Sequence, residues 1–341
     1  MSLWVVFTTA FNAIAPILLL ILLGYFLRSK NFINENFIKI GNKFVFNIAL
    51  PVMLMMNVYS TDSLNNIAWD VVIYTAIVVT FLVLLGVFIA VAATKVPERR
   101  GVIMQCVYRS NYAIIGFSLA GALGGESAKA LTAMVSAICI PLFNTFSVIS
   151  LSVFMSGKKG KFDIKSVLLG IVKNPLIIGV AAGIVLLLIR QAQLELFDHV
   201  VFSLKDNLPF LYSPLNNITN ITTPFALIVL GGQFSFSAVR GMFKEIAAGT
   251  LSRVVLAPVI GIGLAVILST YTDLLHCGPE EYPALIALFG SPVAVSSAIM
   301  AEQMHNDEQL ATQLVVWTSV CSIFTIFLTV CLMLPMGLLS V

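Results

Sequence analysis

The sequence predicts an all-α protein that crosses a lipid bilayer many times. Three observations indicate this class: 59% of the 341 residues are apolar, only 10% are charged, and the mean hydropathy is +1.00. Soluble domains have about 45–50% apolar and about 25% charged residues, so this chain lies well outside their range. The net charge of +3 comes from basic loops and not from a basic patch with interleaved aromatic residues. Nucleic acid is therefore not expected as a partner.

Apolar segments of about 20 residues, the length that spans a bilayer, recur ten times along the chain. The first begins near the N-terminus with no basic leader and no small-residue cleavage site, so we expect a retained helix and not a signal peptide. The predicted spans cover residues 3–27, 38–58, 68–94, 101–121, 128–156, 164–189, 210–232, 246–270, 282–302 and 309–336.

Basic residues are distributed unevenly over the loops between these spans. Lys and Arg cluster after spans one, three, five and seven, whereas the opposite side has only Lys129, Arg190 and Lys205. Cytoplasmic loops carry the excess of Lys and Arg in membrane proteins. The sequence therefore predicts a multi-pass protein of the cell membrane with both termini outside the cytoplasm. The acidic loop 302–308 runs against this pattern, but acidic residues contribute little to orientation.

Two of the apolar segments are interrupted at corresponding places, span four at 109–112 (RSNY) and span nine at 290–293 (GSPV). A helix break at membrane depth frees backbone groups that lipid cannot satisfy, so it survives only inside the protein or beside a polar cavity. Paired breaks of this kind are typical of secondary transporters, in which the substrate binds where the breaks meet. The pattern predicts a transporter with one shared site.

The two halves of the chain are similar to each other. The run 47–51 (NIALP) corresponds to 220–224 (NITTP), and the run 140–144 (IPLFN) corresponds to 321–325 (CSIFT). Each half contains five spans, an odd number, so the second half enters the membrane from the opposite side. The sequence thus predicts two inverted five-helix repeats, residues 1–156 and 157–341.

Three runs carry a family resemblance: 42–51 (NKFVFNIALP), 109–116 (RSNYAIIG) and 290–297 (GSPVAVSS), the last followed by 301–303 (AEQ). In order and spacing they resemble the hallmark segments of the auxin efflux carrier family over essentially the whole chain. The resemblance implies ten transmembrane helices, with spans 1, 2, 6 and 7 as a scaffold and spans 3–5 and 8–10 as a mobile transport unit. It also implies that helices 4 and 9 cross at their breaks.

The same resemblance suggests a substrate class. The bacterial branch of that family includes permeases for malate, malonate and related organic anions, and the plant branch includes auxin carriers with a long central loop. The connection 157–165 is short in this chain, which favours the bacterial branch.

Elementary electrostatics points to the same substrate class. In each broken span the second half-helix starts at mid-membrane, so unpaired N–H groups and the positive ends of two helix dipoles face one point and favour an anion. Asn111, Ser110 and Ser291 can either cap these helix ends or donate to a bound carboxylate. Pro292 suits the first turn of the restarted helix.

Four further residues are candidates for contact with substrate. Asn47 and Asn220 each precede by four residues a proline that kinks a span, and they either mark kinked scaffold helices or face the crossover. Arg109 and Arg253 lie within spans, where a charged residue is a functional candidate. We expect them to attract the anion or to pair with a carboxylate.

Nothing in the sequence indicates a cofactor or a metal site. The five cysteines show no CxxC or Cys/His ligand spacing and are expected as core residues. An intramembrane enzyme would need an activated nucleophile with a histidine or an aspartate-rich metal motif, and the three histidines lie in loops. An enzyme is therefore not expected.

The predicted function is that of a secondary transporter that moves small organic anions such as malate or malonate by alternating access. Its expected partners are the anion and the lipid bilayer. Three alternatives to this function remain open at this point: a sodium-coupled symporter on the related bile-acid carrier scaffold, efflux of an auxin-like aromatic carboxylate, and a sensor that does not transport. Assembly as a homodimer is also left open.

Overall fold

The computed structural model describes residues 3–60, 68–156 and 173–339, and within these ranges the regular structure is helical. The predicted connection 157–165 and the first part of the predicted sixth span lie outside the described residues. The helices are α1 (Leu3–Ser29), α2 (Glu35–Phe44), α3 (Leu50–Tyr59), α4 (Trp69–Ala93), α5 (Pro97–Tyr108), α6 (Phe117–Ser156), α7 (Pro175–Phe197), α8 (Leu204–Asn207), α9 (Pro209–Gln233), α10 (Ala238–Gly241), α11 (Phe243–Leu251), α12 (Ala257–Tyr271), α13 (Tyr282–Gly290), α14 (Ser296–Gln303) and α15 (Glu308–Met333).

Six helical segments in the described part of the chain are long and apolar enough to cross a membrane. They are Glu35–Tyr59, Trp69–Ala93, Ser127–Met155, Pro175–Phe197, Phe243–Tyr271 and Glu308–Met333. Large apolar side chains such as Phe88, Leu188 and Val259 are exposed on their outer faces. Such faces are stable in lipid and not in water, so the chain is an all-helical multi-pass membrane protein, as the composition predicts.

Wider π turns occur at three places: Val45–Ala49 and Ser252–Leu256, each within one of these membrane segments, and Tyr112–Gly116, between α5 and α6. Two of them come directly before a proline near the start of the next helix, Pro51 and Pro258. Proline lacks an N–H and clashes with the preceding turn of a helix, and a π turn accommodates the freed carbonyl without ending the helix. The third π turn lies at the predicted break of span four.

The boundary between the fourth and fifth predicted spans lies at Gly125. The helical segment Phe117–Ser156 is not continuous, because Gly125 has φ 66 and ψ −151. Only a residue without Cβ adopts this conformation readily, and the chain turns there. The predicted gap between spans four and five, 122–127, contains this turn.

The break in the ninth span is longer than the sequence suggests. Helix α13 ends at Gly290 and α14 begins at Ser296. Pro292 therefore lies in an extended link, and the prediction that it lies in the first turn of the restarted helix is wrong. An antiparallel bridge between Ser110 and Val293 holds this link in extended form.

Glycines allow very close contact between α1 and α9. A Cβ added to Gly24 would overlap the carbonyl of Ile228, and one added to Gly231 would overlap the carbonyl of Ile21. Because lipid gives no hydrophobic drive for association, membrane helices associate through such close backbone packing at small residues. Helices α3 and α7 form a second pair of this kind, in which Gly179 packs on Pro51 and Gly183 packs on Met55.

The remaining long helices form a second group. Helices α4, α5 and α6 pack on one another, α13 packs on α6 and α12, and α14 packs on α15. Gly86 lies against Met104, and Gly101 lies against Ser150. Helix α15 also contacts α1. The two interrupted segments, α5 with its π turn and α13 with α14, lie inside this second group.

Candidate functional site

The two helix breaks meet inside the protein. Ser110 pairs with Val293 in the antiparallel bridge, and the backbone N–H of Asn111 donates to the carbonyl of Pro292 over 2.8 Å. Each break thus supplies hydrogen-bond partners for the other, which resolves the cost of interrupting a helix away from water. This crossover is the shared point that the paired interruptions in the sequence predict.

A cavity adjoins the crossover. About 50 Å³ of it is open to the centres of water molecules. The starts of both second half-helices line it, so two positive helix ends face the same space. The other walls come from α3, α6, α7 and α9. The lining residues are Leu50, Met53, Leu54, Arg109, Ser110, Asn111, Ile140, Phe143, Asn144, Leu176, Thr222, Thr223, Ala226, Ala294, Val295, Ser296 and Ile299.

The guanidinium of Arg109 is the charged group of this cavity. Arg109 is only 3% exposed. Its Nη2 donates to Asn144 Oδ1 over 2.9 Å and to Ser296 Oγ over 2.8 Å, and its Nη1 contacts Met300 Sδ at 2.7 Å. Among the described residues no carboxylate lies within 4.0 Å of it. A buried cation held only by neutral groups bears most of its desolvation cost, and an anion in the cavity would reduce that cost.

Two further polar atoms at the cavity have no partner in the described part of the chain. They are the hydroxyl of Ser110 and the side-chain amide nitrogen of Asn111, and both are buried. Buried polar atoms are almost always hydrogen-bonded, so unpaired ones indicate that a ligand or water completes the site. A hydroxyl, an amide and a guanidinium together provide the donors that a carboxylate accepts.

Arg253 lies at the crossover but does not line the cavity, and it is fully buried. Its side chain donates to five backbone carbonyls at the ends of the two first half-helices. They belong to Val107, Tyr108, Leu288, Phe289 and Ser291, at distances of 2.8 to 3.4 Å.

These are the carbonyls that an interrupted helix leaves without partners, at the negative end of its dipole. Arg253 therefore joins the ends of α5 and α13, with its charge next to two negative helix ends. It is the second residue of the π turn Ser252–Leu256.

The other predicted residues do not line the cavity. Ser291 is fully buried, and its hydroxyl donates to the carbonyl of Ala287 over 2.6 Å. Pro292 contributes only its carbonyl, which accepts from Asn111. Asn47 and Asn220 are exposed, and the amide of Asn47 donates to the carbonyl of Lys43 over 2.8 Å. The structure thus brings Arg109, Ser110 and Asn111 together at the cavity and leaves these four outside it.

Four polar residues at the cavity were missed by sequence reasoning. Asn144 and Ser296 hold the guanidinium of Arg109, and Thr222 and Thr223 come from α9. The signal for Asn144 was its correspondence with Thr325 in the comparison of the two halves. Thr222 and Thr223 lie within the run 220–224, in which the sequence analysis identifies only Asn220 as a candidate for contact with substrate.

The comparison with known families agrees with this architecture. The sequence profile of a family described as membrane transport protein matches residues 9–166 and, a second time, residues 162–330. The chain belongs to the auxin efflux carrier family. An uncharacterized transporter of Methanocaldococcus jannaschii is 24% identical over 325 residues, which cover 93% of this chain and 96% of that protein. As a member of the auxin efflux carrier family, the protein is a membrane transporter and not an enzyme.

Proposed function

We propose that this transporter moves small organic anions, of the malate or malonate kind, by alternating access, and that the cavity at the crossover binds them. The observation that carries the proposal is the buried guanidinium of Arg109, which has no carboxylate partner among the described residues. A carboxylate in the cavity neutralises this charge. It also accepts hydrogen bonds from Ser110 Oγ and Asn111 Nδ2, which have no partner among the described residues.

The dimensions of the cavity favour a compact substrate. A space of about 50 Å³ for water centres corresponds to about three to five water molecules. A short carboxylate suits this volume better than an aromatic one does. Apolar side chains such as Leu50, Met53 and Phe143 form much of the wall, and they keep the charged contact away from bulk water and so strengthen it.

The proposal includes the two inverted five-helix repeats, 1–156 and 157–341. The double match of one family profile, to 9–166 and to 162–330, supports the repetition. The two packed groups of helices support a division into a scaffold, with α1, α3, α7 and α9, and a transport unit that contains the crossover. Substrate held by the crossover then moves with the transport unit relative to the scaffold, while Thr222 and Thr223 on α9 line the cavity from the scaffold side.

The test is counterflow in proteoliposomes that contain the purified protein and no other carrier. Radiolabelled malate and malonate are offered against an internal excess of the same anion, with glycerol and choline as neutral and cationic controls. The proposal predicts accumulation of the anions and no accumulation of either control. Exchange that is confined to the neutral or the cationic solute would refute it.

A further inference from the structure

A second polar cluster lies at the far end of α14, away from the crossover. Glu302 is six residues after Ser296, about 9 Å along the helix axis. Its carboxylate accepts hydrogen bonds from the side-chain amides of Asn42 on α2 and Gln233 at the end of α9, the latter over 3.1 Å. One carboxylate on the helix group of the crossover is thus bound by two residues of the other group.

No cation among the described residues forms an ion pair with this carboxylate. The charged side chains that face it line one cavity: Lys39 comes from α2, Glu308 from α15, and Arg28 from α1. Arg28 pairs with Glu35 over 3.0 Å. Because Glu302 is held by neutral amides, it can take up a proton without leaving a buried cation unpaired, which would be the cost at an ion pair.

Three side-chain amide oxygens near Glu302 accept no hydrogen bond from the described residues. Asn42 is fully buried, and its Oδ1 has no partner. The side-chain oxygens of Gln233 and Gln309 are also buried and unpaired within the described residues. Asn42 and Gln233 donate to Glu302 through their amide nitrogens, so a proton on the acid removes the negative charge to which these donors bind.

Water reaches this cluster. About 420 Å³ of the cavity that contains Glu302 is open to the centres of water molecules, enough for a chain of waters that delivers and removes protons. The proton taken up by the carboxylate comes from this water and returns to it on release.

Two neutral contacts join the helix groups at the same end. Gln309 Nε2 donates to the carbonyl of Gln233 over 3.2 Å, and Gln313 Nε2 donates to the carbonyl of Ser235 over 2.7 Å. Glu302 adds a charged contact to them, and hydrogen bonds to an ionised group are roughly twice as strong as neutral ones. Loss of its charge therefore weakens the connection between α14 and the scaffold more than a change at either glutamine would.

We propose that Glu302 is a proton-binding site that controls the movement of the crossover helices. As a carboxylate it attaches α14 to Asn42 and Gln233, and as a neutral acid it releases α14. The proposal rests on the proposed function for the movement that it controls, and it adds the ligand that permits the movement, a proton.

The first test measures the conformation without any substrate. Hydrogen exchange of peptides that cover residues 296–309 is followed in nanodiscs between about pH 5 and pH 8, a range that brackets the titration of a perturbed carboxyl. After correction for the intrinsic pH dependence of exchange, wild-type protein is expected to lose protection as the pH falls. Glu302→Gln, a permanently neutral isostere, is expected to be unprotected throughout. Glu308→Gln, in the same cavity but without these bonds, is expected to keep the pH-dependent loss of protection, with a midpoint moved by the removal of one neighbouring negative charge.

The second test measures counterflow of labelled malate with equal pH on both sides. The wild-type rate should fall by about tenfold per pH unit above the titration midpoint, because only the protonated fraction moves. Glu302→Gln should keep the acid rate at all pH values, and Glu302→Asp, which retains a carboxyl, should keep a pH dependence with a shifted midpoint. Glu302→Asp decides the question if the glutamine variant does not fold.

Three results would overturn the proposal. A wild-type pH profile of exchange in Glu302→Gln would remove Glu302 as the titrating group. Wild-type protection that does not change with pH would remove the proton. Protection could instead respond to sodium chloride but not to potassium chloride at fixed pH, and lose that response in Glu302→Gln. That result would make the Glu302 cluster a sodium site and not a proton site. Absence of malate transport would refute the proposed substrate and leave the exchange test of Glu302 intact.

Discussion

Replacement of Arg109 by methionine separates a ligand-binding role from a structural one. Methionine preserves an unbranched apolar stem of similar width and removes the charge. A charge-assisted hydrogen bond contributes about 1.5–3 kcal/mol, so the affinity for malonate should fall by about 10-fold to 150-fold. Arg109→Lys keeps the charge but lacks the planar guanidinium, so its affinity for malonate should lie between those of the wild type and Arg109→Met.

The same variant should fold well. It loses the hydrogen bonds to Asn144 and Ser296, each of which, as a bond from a charged group, contributes about 1.5–3 kcal/mol. Removal of a desolvated cation that lacks a carboxylate partner offsets this loss. We therefore expect a Tm close to that of the wild type in the absence of ligand, and a much smaller rise of Tm when malonate is added, because ligand stabilisation follows affinity.

Arg253→Met is the matched control, since both arginines are buried at the crossover. It leaves five carbonyls without their donor, and each unsatisfied buried acceptor costs about 1–3 kcal/mol. Its Tm should fall far more than that of Arg109→Met. The assay is thermal unfolding with and without malonate, together with calorimetric titration. Wild-type affinity in Arg109→Met, or a larger loss of Tm there than in Arg253→Met, would refute the assignment of the two roles.

Three other predictions concern the site, the packing and the orientation. Asn111→Ala should weaken malonate binding by about tenfold or more in calorimetry, because a bond to a charged group is lost. Ser291→Ala should bind malonate normally, because the hydroxyl of Ser291 donates within its own helix. Equal affinities of the two variants would remove Asn111 from the site. Gly24→Ala should lower the Tm, because the added Cβ overlaps a carbonyl of α9 and overpacking costs about 1–3 kcal/mol, while Gly263→Ala, which meets open space, should leave the Tm unchanged or raise it. A cysteine at Lys159 should react with an impermeant thiol reagent only from the cytoplasmic side, and labelling from outside would reverse the predicted topology.

Much of the fold can be predicted from the sequence because a bilayer imposes simple rules. Span length and hydropathy place most of the described helices to within a few residues, whereas α7 runs to Phe197, well beyond the end of predicted span six at residue 189. Paired interruptions at 109–112 and 290–293 indicate the crossover. The length of the second break could not be predicted in this way. It depends on the bridge between Ser110 and Val293, a contact between segments that are distant in the sequence.

The candidate site was predicted only in part, for a physical reason. An arginine within a span indicates function, but the sequence does not show which way its side chain points. Arg109 and Arg253 are both arginines buried at the crossover, yet one lines the cavity and the other binds helix ends. Likewise the prolines after Asn47 and Asn220 indicate kinks, but they do not show whether the asparagines reach the cavity, and neither residue lines it.

The most direct test of the central claim compares malonate with malonamide, which has nearly the same shape and no charge. Calorimetric titration of the purified wild-type protein with each compound measures what the cavity recognises. If the guanidinium of Arg109 and the two helix starts select an anion, malonate should bind at least about tenfold more tightly, as expected for a charge-assisted bond. Equal affinities, or tighter binding of malonamide, would contradict an anion site at the crossover.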